Sequence, residues 1–205
     1  MKRLIFSGLM SIVVLSATAQ YSQIYSNEDV AYANGIELYE QGQYEASYAA
    51  LCNYHGANYA EEAAFYLAAN AFELRHNNAQ AMLQNYIASH PYSTYADEVN
   101  FMIGALQVER KKYKHALKCF EKVDENQLFR THKPDYLFYR GYALLKMNQP
   151  QQATNWFYKL KSEKSKYSLQ AKYYYAFSQY TIHNYGKALP DFLDIEHTAM
   201  YKNIV

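Results

Sequence analysis

The chain has 205 residues, half of them hydrophobic, with a formal net charge of +1. That balance gives no basic footprint for nucleic acid or for a polybasic membrane contact. With 7 Gly and 4 Pro against 24 Tyr, the composition excludes a turn-rich sandwich or a disordered chain and favours broad, half-buried aromatic surfaces.

The chain opens with "MKRLIFSGLMSIVVLSATAQ". Lys2 and Arg3 precede an apolar run from Leu4 to Leu15, and Ala17 and Ala19 form a small-residue site. This is the pattern of a secretory signal peptide over residues 1–19, with Gln20 as the mature N-terminus. The run is shorter than the roughly 20 residues a spanning helix needs. Membrane contact is therefore expected only through this segment before cleavage. The mature protein is expected to be exported, to the periplasm or outer cell envelope, with a short linker at 20–26.

A repeated phrase follows. Gly35, Tyr44, Ser47, Leu51 and Tyr54 set its offsets. A weaker copy holds Ala79, Leu83, Tyr86 and a terminal Pro91, and fits if its central turn is one residue shorter. The third copy is Gly104, Tyr113, Ala116, Phe120 and Val123, and the fourth is Gly141, Pro150, Ala153, Phe157 and Leu160. The fifth is Ala176, Tyr185, Ala188, Phe192 and Ile195. The first-helix anchors fall near 35, 67, 104, 141 and 176. A period in the mid-thirties with two helical patterns per unit predicts an all-α solenoid of antiparallel helix pairs, about five over residues 27–197. At least nine helices and no sheet are expected.

Small residues should let the helices of a pair approach, and Leu51, Leu83, Phe120, Phe157 and Phe192 should fill the space between pairs. Gly42 suits a left-handed helix end. Pro150 suits a helix start, and Pro190 is expected within the first turn of its helix. Residues 198–205 read as the start of a further first helix, as if a longer array were truncated there.

These residues resemble the tetratricopeptide repeat family. Its small residue, central aromatic, Ala and following aromatic are met by Gly104, Tyr113, Ala116 and Phe120, and again by Ala176, Tyr185, Ala188 and Phe192. Pro150 replaces the aromatic in one unit and Ser47 replaces Ala in another. The resemblance implies a right-handed superhelix and a concave face that binds peptides. With the export signal, the chain looks like repeat proteins of Gram-negative cell envelopes, including those that assist outer-membrane protein assembly.

No reactive constellation competes with this reading. The sequence lacks a Gly-rich phosphate loop, G-x-S-x-G and H-E-x-x-H. His115 and Cys119 lie four apart, but zinc normally needs three or four ligands. Asp191 and Asp194 read as a solvated helix face. The basic run from Arg110 to Lys118 reads as solvent-facing, with a specific anionic partner as the alternative. No catalytic residue, metal or cofactor is expected, and the chain is read as a non-enzyme. Cys52 and Cys119 fall a whole repeat apart, beyond the reach of a disulfide, and are expected as two free, largely buried thiols.

The candidate binding surface is an aromatic stripe on the first helices. With the small residue numbered eighth, positions five, nine and twelve share one face. They are Tyr32, Ile36 and Tyr39 in the first unit, and Phe101 with Val108 in the third. Phe138, Tyr142 and Leu145 follow in the fourth, then Tyr173, Phe177 and Tyr180 in the fifth. In the family this stripe lines the concave groove; the other reading is packing between neighbouring first helices. The expected function is a scaffold that holds a protein or peptide partner, possible in envelope or outer-membrane assembly. The alternatives are carbohydrate or peptidoglycan binding through exposed tyrosines, and a structural spacer in a larger assembly.

Overall fold

The computed structural model describes residues 27–196. The signal segment, the 20–26 linker and the segment 198–205 lie outside the described residues. Among the described residues the chain forms ten α-helices and no strand. They are α1 (Asn27–Glu40), α2 (Tyr44–Cys52), α3 (Ala60–Glu73), α4 (Ala79–Ser89), α5 (Ala96–Glu109), α6 (Tyr113–Phe120), α7 (Lys133–Lys146), α8 (Pro150–Lys161), α9 (Ser168–Thr181) and α10 (Tyr185–Glu196). None is long and apolar enough to cross a membrane. Two compact units divide between His76 and Asn77. In the first, α1 packs on α2, and α3 packs on both. In the second, α5/α6, α7/α8 and α9/α10 form stacked pairs, with first helix against first helix from α5 to α7 to α9.

Every first helix ends in the same way. One residue turns left-handed: Gly42 at φ 73°, then Arg75, Lys111, Asn148 and His183 at φ 57–61°. The amide of the following residue reaches back five positions, as in Gln43 N–H to Leu38 O at 2.8 Å and Lys112 N–H to Gln107 O at 2.8 Å. His76, Gln149 and Asn184 repeat it. These are Schellman ends, which satisfy otherwise orphaned carbonyls. Only Gly42 adopts the conformation without a Cβ penalty. Replacing exposed Lys111 with glycine is therefore expected to stabilise the protein. The left-handed penalty is about 1–2 kcal/mol and the added unfolded-state entropy offsets part of it, leaving a gain of about 0.5–1 kcal/mol in chemical denaturation.

The sixteen-residue offset between small and large residues has a steric cause. A Cβ on Gly35 would lie 2.6 Å from Leu51 Cγ, and one on Gly141 would lie 2.9 Å from Phe157 Cζ. One on Gly104 would overlap the Phe120 ring. The large residue thus seats in a notch on its own pair's first helix, besides reaching the next pair. Phe120 meets Tyr136 edge-on at 5.7 Å, and Phe157 lies along Tyr174 at 5.4 Å. Gly104→Ala is expected to cost about 1–3 kcal/mol by overpacking. Combining it with Phe120→Leu should recover part of that loss in thermal melting, because the clash lies with the ring.

Ser47, which stands where the repeat expects Ala, is buried and has a polar task. Its hydroxyl donates to Gly35 O at 2.7 Å and accepts from Asn70 Nδ2 at 2.8 Å, tying α2 to α1 and α3. The shortened turn in the second repeat is present: Ala79 follows Arg75 by four positions, where Ser47 follows Gly42 by five. The small residue matching Gly35 by this register is Ala68, one position beyond the expected anchor.

Three expectations need correction. Pro190 is the sixth residue of α10 and lies past the first turn, so the ladder bond to the Gly186 carbonyl is missing there. Phe192 is half-buried rather than core, with its ring 6.2 Å from Tyr173. The two thiols are free, but Cys52 is exposed and Cys119 only partly covered. Cys52 stands last in α2, past the buried face that Leu51 occupies. Burial raises the Cys119 thiol pKa, partly countered by Lys122.

Candidate aromatic face of the first helices

The stripe divides into three classes by what covers each ring. Tyr39 is 8% exposed and Phe101 only 1%, so both are packing residues. Tyr39 meets Tyr44 and Tyr66 edge-on at 5.4 and 5.1 Å, and Phe101 lies against His132 at 5.4 Å. They are removed from the candidate surface because no partner can reach them. Ile36 is half-buried.

The second class is capped by the residue that leads into the next first helix. Tyr59, just before α3, stacks on Tyr32 at 4.3 Å and 4°. Tyr167, just before α9, stacks on Phe138 at 4.3 Å and 9°. His132, just before α7, also lies over Phe101, but tilted at 39° and 5.4 Å rather than stacked. Position five of the stripe is thus joined to the following repeat. Tyr167 is held further by its hydroxyl, which donates to Asp135 Oδ1 at 2.7 Å, while Lys166 pairs with the same oxygen at 2.8 Å. Burial, followed by the hydrogen bond and charge of Asp135, pushes the Tyr167 phenol far above its ordinary range.

The third class remains open, on α7 and α9 in the second unit. Tyr142 and Tyr173 are half-buried, Phe177 is 43% exposed and Tyr180 is 56% exposed. Tyr174 was not foreseen as a member, and it joins them. Its ring lies 5.9 Å from Phe138, 5.6 Å from Tyr142 and 5.3 Å from Tyr173. Tyr173 in turn lies 6.3 Å from Phe177 at 18°. Phe138, Tyr142, Tyr173 and Phe177 therefore belong to one chain of touching rings. Tyr180 turns toward the exposed Tyr185 at 5.4 Å. Lys146 Nζ lies 5.1 Å from the centre of the Tyr142 ring and places a cation beside the face.

The arrangement offers contact area on a stiff base. Edge-on and stacked rings fix one another, so the outer rings lose little freedom when covered. Among the described residues no group of three or more His, Cys, Asp or Glu could hold a metal ion.

The described residues, all in Schellman-ended, notch-packed helix pairs and their connections, have a tetratricopeptide-like helix-pair repeat fold. Solved structures similar to it include those of MamA, a protein with that type of fold. MamA of strain AMB-1 superposes with a TM-score of 0.61 at 20% identity, over 81% of this chain and 95% of that one. MamA from Desulfovibrio magneticus RS-1 gives 0.62 at 14% identity, over 87% and 98%. At such identities the likeness establishes the fold. No protein-family model and no curated protein sequence matches the chain.

Proposed function

We propose that the protein is a non-enzymatic interaction scaffold whose α7–α9 face holds a segment of a partner protein. The observation that carries this reading is the pair of exposed rings, Phe177 and Tyr180, standing beside a ring cluster whose other members are half-buried. Binding energy at interfaces concentrates in a few aromatic anchors. An extended or helical peptide suits such a stripe. The N-terminal sequence supports export, so the partner would be met in the periplasm or outer envelope, in an assembly role there.

The test is site-directed photo-crosslinking in the producing cell. A benzophenone amino acid at position 177 or 180 should yield one discrete protein adduct. The same group at Tyr92, 98% exposed between α4 and α5, should not. Equal, diffuse labelling from all three positions would overturn the proposal.

A further inference from the structure

The basic run from Arg110 to Lys118 has a structural setting that the aromatic face does not use. A cleft of about 520 Å³ opens between the second helices α6 and α8, floored by α7. Its walls include Lys114, Leu117 and Lys118 from α6, Arg140 from α7, and Trp156 from α8. Glu121 is the one carboxylate in the lining, against three cations. The cleft is therefore net positive, and it carries apolar wall as well as charge.

Arg140 is pre-set. Its Nη1 donates to the Phe120 carbonyl at 3.0 Å and to the Tyr136 hydroxyl, closing the C-terminus of α6. Its guanidinium lies over the Trp156 ring at 4.2 Å. Nε and Nη2 have no protein hydrogen-bond partner among the described residues. A guanidinium fixed by packing with donors left over forfeits little entropy on binding a carboxylate. Lys114 and Lys118, one turn apart on α6, are exposed at the rim.

We infer that this cleft is a second binding site, for an acidic peptide segment of a partner protein that also presents an apolar side chain. The carboxylate meets Arg140 and the two lysines, and the apolar group covers Leu117 and the Trp156 side. Charge complementarity selects the acid, and the apolar wall favours a peptide over a simple anion.

Trp156 is the only tryptophan in the chain, so its fluorescence reports on this cleft alone. The full chain is titrated with two decapeptide pools. One is built from Asp, Glu, Leu, Phe, Ser and Gly; the other replaces the acids with Asn and Gln. The acidic pool should shift Trp156 emission saturably, more weakly at high salt, and the amide pool should not. Lys114→Gln with Lys118→Gln should weaken the response about tenfold while leaving melting unchanged. Arg140 is left intact because it closes α6. Equal response to both pools, no response to the acidic pool, or an unaffected double variant would each overturn the inference. None of these outcomes bears on Phe177 and Tyr180.

Discussion

Glu98→Ala is expected to lower stability by about 3–5 kcal/mol, the cost of taking away a buried carboxylate that is hydrogen-bonded to two groups of the neighbouring connection. Glu98 lies in the first turn of α5 and is 1% exposed. Its carboxylate accepts from the Phe129 amide through Oε1 and lies 2.6 Å from His132 Nδ1 through Oε2. The neighbouring Asp97 accepts from the Asp124 amide at 2.6 Å. Two successive acids thus hold residues 121–132, the connection from α6 to α7. Alanine would take away the carboxylate that bonds the buried His132 imidazole and the Phe129 amide. Glu98→Gln keeps one acceptor oxygen and should lose less. Urea unfolding gives the magnitude, and hydrogen exchange at the Phe129 amide gives the location. An alanine variant as stable as the parent would mean that the connection is held by other contacts.

Phe157→Ala should cost about 3–5 kcal/mol as well, for a different reason. The ring is fully buried, seats on Gly141 and lies along Tyr174 of α9. Its loss opens a cavity at the point where two pairs meet, and removes the surface against which Tyr174 is fixed. Gly141→Ala with Phe157→Leu should be far milder, since the added methyl occupies part of the vacated notch. Thermal melting of both variants separates the cavity from the contact. Equal destabilisation would show that the notch is not what sets the register.

The pair architecture was legible because one steric event recurs. Gly35–Leu51, Gly104–Phe120 and Gly141–Phe157 sit sixteen residues apart, and a glycine under a large side chain is a backbone-distance signal. The ends of the first helices were legible only at Gly42, because Arg75, Lys111, Asn148 and His183 adopt the same turn without the residue that advertises it. The aromatic stripe was legible as a helical period, but not which rings stay open. Phe101 and Phe177 fall on the same stripe. One is sealed by His132 and the other stands exposed, a difference that depends on the connection packed above. A signal for that sealing was present: Tyr59 and Tyr167 each stand directly before a first helix, with Ala63 and Ala171 buried four residues on. Pro190 misled by one turn, since the boundary of α10 rests on His183 rather than on the proline.

The most direct measurement is binding and melting of the Phe177→Ala, Tyr180→Ala double variant, set beside the parent and Phe157→Ala. Both rings are substantially exposed, so removing them should leave the stability read from melting within about 0.5 kcal/mol of the parent's. Binding of the partner identified by crosslinking should fall by about 2 kcal/mol or more, as for aromatic anchors elsewhere. A double variant that melts as early as Phe157→Ala, or one that binds the partner as tightly as the parent, would contradict a binding role for the α7–α9 face.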